Sequence, residues 1–197
     1  MTTATTATSA NTDSTDSTDR IGIARGLRNL YYVRFGFAVV WAALLALTAS
    51  SLTPVSIALL VLYPLFDLAA AVVDFRRSAA ARPTAGLYAN MALSLLTAVG
   101  LGLAVTSGSS AVLAVWGVWA ITAGAVQLTV ALIRYGLGGQ WAMILSGGIS
   151  TFAGAGFLMQ SGTPDAPLTG LAGYATLGGI FFLVSAIRLH RVAKKAV

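Results

Sequence analysis

Six apolar runs, each close to the ~20 residues that a helix needs to cross a hydrocarbon layer of ~30 Å, govern what this chain of 197 residues folds into. They fall near 34–49, 54–73, 86–105, 111–133, 141–160 and 168–187, and breaks of Gly, Ser, Pro or charge separate them. Apolar residues make up 57% of the chain and charged residues 9%, whereas a soluble domain carries about a quarter charged residues. The solvent for these runs is lipid, in which a helix satisfies its own backbone hydrogen bonds and an open strand edge does not. The expected fold is therefore all-α, a polytopic membrane protein of six transmembrane helices.

The connections between the runs alternate in charge. Those after the first, third and fifth (TASSLTP, TSGSS, SGTPDAP) contain no Lys or Arg, while those after the second, fourth and sixth (DFRRSAAARP, IRYGLGG, IRLHRVAKK) are basic. With Arg20, Arg25, Arg28 and Arg34 before the first run, all twelve basic residues fall on one face. By the positive-inside rule that face is cytoplasmic, and both termini lie there. Topology thus accounts for the net charge of +6 without invoking nucleic acid, and no nucleic-acid partner is expected.

Ahead of the spans, residues 1–20 are mostly Thr, Ser, Ala and Asp with little to bury, and read as a disordered polar leader. Residues 21–33 carry Ile23, Leu27, Leu30 and Tyr31 at helical spacing, with Arg25, Arg28 and Asn29 on another face. They form either an interfacial amphipathic helix or the extended end of the first span. The transmembrane domain covers 34–191, and 188–197 is a basic cytoplasmic tail. Trp141, Tyr88, Tyr31 and Tyr32 sit where an aromatic belt would lie. Arg76, Arg134 and Arg188 close the even-numbered spans at nearly equal intervals, and Phe66, Gly124 and Gly178 precede them by the same distance. This spacing predicts three helical hairpins of like orientation, that is, parallel repeats.

The last two hairpins carry WGVWAITAGAVQLTVALIRY and WAMILSGGISTFAGAGFLMQSGTPDAPLTGLAGYATLGGIFFLVSAIRLHR. A tryptophan at the basic edge, a Gly-rich first helix, an outer turn with proline and a GYATLGGIFFL-like second helix ending in Ile-Arg resemble the HdeD-type family. These are small bacterial membrane proteins built of short repeats of unknown function. The resemblance covers roughly residues 30–191 and is weakest in the first hairpin. It implies a six-helix protein of the bacterial cytoplasmic membrane and, since the best-known member is associated with acid resistance, a non-enzymatic stress factor. It implies no catalytic residue and no cofactor.

Asp67 is the candidate site residue. It lies ~13 Å inward from Arg76 along its helix, and an ionisable group at that depth is a functional hypothesis by default. Measured from the first outer turn, Arg34 and Asp67 lie ~24 and ~20 Å deep, depths that suit a pair between neighbouring helices. Asp67 is then a proton-responsive group, the permanent partner of Arg34, or a carboxylate hydrated from the cytoplasmic side. Pro64, one turn earlier, removes a backbone hydrogen bond. Gln127 and Asn90 are expected as polar helix contacts, or as part of a solute path with Ser94 and Thr97. The glycines of the spans, including 117, 124, 147 and 154, have no GxxxG spacing and point first to close packing within the chain, with a homo-oligomer seam as the alternative. Arg188, Arg191, Lys194 and Lys195 face lipid headgroups, anionic lipid included. Cysteine is absent, and His190, the single histidine, has no converging ligands; no metal site is expected. Beside the stress factor stand two alternatives, a small-solute or proton transporter and a membrane assembly or scaffold subunit.

Overall fold

The computed structural model describes the backbone of residues 5–77, 84–133 and 141–195 and the side chains of 22, 25–76, 85–133 and 141–191. All its regular elements are helical: α1 (Thr5–Thr48), α2 (Pro54–Arg77), α3 (Thr84–Ala104) with a 3₁₀ turn at Val105–Ser107, α4 (Ser109–Ile133), α5 (Trp141–Gln160) and α6 (Thr169–Lys195). Six stretches are long and apolar enough to cross a membrane: Arg25–Thr48, Pro54–Arg76, Ala85–Ser107, Ser109–Ile133, Trp141–Gln160 and Thr169–Arg191. The chain is a multi-pass helical membrane protein by this measure. The connections 78–83 and 134–140, Arg134 among them, and the side chains of the leader, Lys194 and Lys195 lie outside the described residues.

Local chemistry sets the helix ends. Pro54 opens α2 at a position where its missing N–H costs nothing. Just before it, the Thr53 N–H donates to Ser56 Oγ at 2.8 Å and the Ser56 N–H donates to Thr53 Oγ1 at 3.2 Å, a reciprocal capping box. Between α3 and α4 the chain reverses through Gly108 at φ 96°, which a residue with a Cβ adopts only under strain. In the turn between α5 and α6, Asp165 takes φ 52°, a left-handed conformation that Asp tolerates better than most residues.

Two boundaries differ from the sequence expectation. The helix of the first span continues back to Thr5 instead of following a disordered leader over 1–20. No Pro or Gly lies between residues 5 and 21 to stop it, and 21–33 joins the span without a break. At the other end of the first hairpin, α2 extends past Val73 to Arg77, which draws Asp74 into the bundle.

The six helices form a closed ring in which each packs on its two neighbours. Packing is closest between α4 and α5 and between α1 and α6, followed by α2 and α3; the α5–α6 contact is slightest. The tightest pairs are thus offset by one helix from the hairpins expected at the outer turns, and glycine explains the leading case. Gly117 and Gly124 on α4 meet Gly154 and Gly147 on α5. A Cβ at Gly124 would lie 2.7 Å from the Gly147 carbonyl oxygen, and one at Gly154 would lie 2.6 Å from that of Gly117. On the α1–α6 seam a Cβ at Gly179 would meet the Ala38 Cβ at 3.2 Å.

The half of the ring away from the basic connections is solid. Trp41, Leu45, Leu60, Leu101, Leu113 and Trp116 are buried there within one cluster that continues to Leu168 and Leu171. The Trp41 indole N–H donates to the Leu59 carbonyl at 2.6 Å, one residue from the Leu60 carbonyl that Pro64 leaves without its helical donor.

Candidate functional site: a chamber in the basic half of the ring

Toward the basic end the ring surrounds a half-open chamber of about 460 Å³, within the ~300–1,000 Å³ of small-molecule sites. Every helix contributes to its wall: Arg34 from α1, Asp67 and Asp74 from α2, Asn90 from α3, Gln127 from α4, Ser146 from α5 and Phe182 from α6. It reaches inward to Tyr63, Trp119, Ser150 and Tyr174. Beyond these the apolar cluster closes the ring, as Tyr63 packs on Trp41, Trp116 and Trp119 with ring centroids 4.6, 5.5 and 6.0 Å apart.

Asp67 accepts three side-chain hydrogen bonds in the chamber wall. Its Oδ1 accepts from the Arg34 guanidinium. Its Oδ2 accepts from Asn90 Nδ2 at 2.9 Å and from Ser94 Oγ at 2.7 Å. The carboxylate, 8% exposed as a residue, is therefore held by three donors from two neighbouring helices, α1 and α3, a condition under which a charge inside a membrane is sustained. Arg34 is held on a second side by the ring of Phe182, 4.2 Å from its guanidinium carbon, in a cation–π contact. Phe182 in turn stacks on Tyr31 with centroids 6.0 Å apart.

A second polar group lies opposite. Ser150 Oγ donates to the Ala120 carbonyl at 2.9 Å; a serine has one proton to give, so in the 2.8 Å contact between the two hydroxyls Tyr174 is the donor. The indole N–H groups of Trp116 and Trp119 have no acceptor among the described residues.

The structure brings Arg34, Asp67, Asn90 and Ser94 into one network. Gln127 serves as a helix contact, its Nε2 donating to the Met143 carbonyl at 3.3 Å, and it also lines the chamber. Thr97 turns back on its own helix and donates to the Leu93 carbonyl. Arg188 and Arg191 are exposed, and Arg188 lies 6.0 Å from the ring centroid of Trp141. His190 is tied across the α1–α6 seam: Arg28 donates to its Nδ1 at 3.1 Å. Tyr32, Tyr88 and Trp141 are exposed as belt residues would be, but Tyr31 turns inward to the chamber. Among the described residues no group of three or more metal-ligating side chains converges.

Sequence reasoning missed Asp74, which is 5% exposed and lines the chamber with Asp67 and Ala71. The spacing 67, 71, 74 places all three on one helical face, a signal hidden by the adjacent Phe75-Arg76-Arg77, which read as the start of a solvated connection. Tyr63, Trp119, Ser150 and Tyr174 were missed because single aromatic and hydroxyl groups in apolar helices carry no pattern that tells a chamber from a packed interior. No protein-family model, curated protein or solved structure matches this chain.

Proposed function

We propose that the chain is a small-solute carrier that loads its central chamber from the basic, cytoplasmic face of a bacterial cytoplasmic membrane, with both termini on that face. One observation carries the reading: a chamber walled by all six helices reaches the basic end and is closed beyond mid-depth by a buried aromatic and aliphatic cluster. A site near the midplane accessible from one side at a time is the arrangement that alternating access requires. The cytoplasmic assignment rests on the basic residues clustered at that end. Three repeated units are supported by the alternation of closer and looser packing around the ring. A stress role, acid stress included, rests on the resemblance alone.

Because the chain has no cysteine, a single introduced thiol reports access to its own position. Ser146→Cys, on the chamber wall, is expected to react with a membrane-impermeant maleimide in inside-out vesicles and not in intact cells. Ser107→Cys, exposed at the opposite end, is expected to show the reverse. A Ser146→Cys thiol unreactive from both sides would mean that water does not enter the chamber, and the carrier reading would fall.

A further inference from the structure

From the seam between α5 and α6 we infer what the chamber takes up and by which route: a single-chain amphiphile, an apolar body with a hydrogen-bonding end, that enters sideways from the hydrocarbon of the bilayer. The inference rests on the carrier reading and deepens it. On α6 two stripes differ in burial. The stripe through Gly179, where an added Cβ would meet Ala38 of α1, contains Leu171, Ala175 and Ala186, all buried. The stripe through Gly170, Tyr174, Leu177 and Phe181, spaced as one helical face, contains no buried residue, and Leu177 is 47% exposed. The contrast recurs on α5. Gly147 and Gly154 are buried against α4, whereas Ala142, Ser146, Ile149 and Ala153 are only half-buried.

Two levels join these helices. Tyr174 bonds Ser150 at 2.8 Å and packs on Phe157 with ring centroids 5.8 Å apart, and a Cβ at Gly170 would lie 3.3 Å from the Phe157 ring. At the basic boundary Arg188 approaches the Trp141 ring at 6.0 Å. Between these levels Ser146 and Ile149 of α5 and Leu177 and Phe181 of α6 line the chamber instead, so the seam forms a window in its wall. Ile149 lies ~12 Å along its helix from Trp141, and Leu177 ~16 Å from Arg188. At those depths the ring is surrounded by a hydrocarbon layer of ~30 Å, and what meets the window is lipid. Within stand neutral hydrogen-bonding side chains, among them Gln127, Ser146 and Tyr63. Polar groups left open to hydrocarbon are costly. An amphiphile removes that cost, because its apolar body fills the window against Ile149, Leu177 and Phe181 while its polar end takes up the hydrogen bonds inside.

The test uses the Ser146→Cys thiol in the full-length protein in inside-out vesicles. N-dodecylmaleimide dissolved in the bilayer is expected to label it, as the impermeant maleimide does. Leu177→Trp and, from the other side of the seam, Ile149→Trp are each expected to slow N-dodecylmaleimide severalfold relative to the impermeant reagent, whose rate in the same variant reports that the chamber is intact. If one tryptophan variant does not survive purification, the other decides. Dodecanol is expected to slow impermeant labelling saturably and ethanol at equal concentration to leave it unchanged, while neither slows labelling of Ser107→Cys from the opposite face. Labelling by the impermeant reagent alone would overturn the lateral route and leave the carrier reading standing. A rate with N-dodecylmaleimide that neither tryptophan lowers would put entry at the basic end and overturn the route as well. Absence of protection by dodecanol, or equal protection by ethanol, would overturn the ligand class. Disulfide-linked dimers of a Leu177→Cys protein would mean that a second copy covers the window, and would overturn the inference. Labelling by neither reagent would overturn both readings.

Discussion

At the scale of single residues, the fate of Asp67 is decided by how many groups share its charge. Three donors from α1 and α3 converge on its two oxygens, so the carboxylate is tied to both neighbouring helices. Removing one member leaves the other buried and unpaired, so Asp67→Ala is expected to destabilise the protein by about 3–5 kcal/mol, read as a lowered unfolding midpoint in a detergent titration. Ser94→Ala should cost only about 1 kcal/mol, the range of a single hydrogen bond between membrane helices. The paired replacement Arg34→Met with Asp67→Leu should recover most of the loss, because desolvating the two charges roughly offsets their attraction. If the paired variant is as unstable as Asp67→Ala alone, the bridge is not what Asp67 stabilises. The Arg34 partner is legible from helix rise alone, as two depths counted from one turn. Asn90 and Ser94, 23 and 27 residues further along the chain, are not, since nothing in their local sequence says which way α3 is rotated.

At the scale of helices, the ring is ordered by where backbones can approach. Gly117, Gly124, Gly147 and Gly154 repeat at seven residues on each helix, two turns, and meet antiparallel across the α4–α5 seam. Gly124→Ala or Gly154→Ala would drive a methyl group against a carbonyl oxygen, and each is expected to cost about 1–3 kcal/mol of stability through helix displacement. Gly148→Ala and Gly156→Ala, where an added Cβ meets nothing within 4 Å, should be neutral or slightly stabilising. Thermal aggregation midpoints of the four variants, compared side by side, separate the seam from the open positions. If all four behave alike, the seam does not depend on close backbone approach. The glycines themselves are legible in the sequence, but which of them face a neighbour depends on the pairing of α4 with α5, which the hairpin reading placed in different units.

At the scale of the whole molecule, the two halves of the ring differ because large side chains fill one and stand back from the other. Trp41 and Trp116 occupy the axis in the closed half. In the basic half, Gly178 and Ala123 leave space that Gln127 and Ser146 border without filling. Gly178→Leu would project into that space, where the nearest atom to a new Cβ is the Tyr63 hydroxyl at 3.9 Å. It is expected to slow labelling of Ser146→Cys severalfold while the unfolding midpoint stays within about 0.5 kcal/mol of the parent, as for a substitution that neither clashes nor opens a cavity. A normal labelling rate in a folded Gly178→Leu protein would mean that the chamber is not the route to Ser146.

The number of helices able to span a membrane and their helical state follow from the sequence, and the depths of Arg34 and Asp67 already allow the pair that the structure forms, because each depends on local hydropathy or rise per residue. Tertiary structure alone decided that the helices close into a ring, that α4 pairs with α5 and α6 with α1, and that Asp74 and Tyr31 face inward. Those outcomes depend on the rotation of each helix about its own axis. In an apolar chain whose helices are hydrophobic on every side, no polar stripe encodes that rotation; it is set by which small and large side chains fit across each seam.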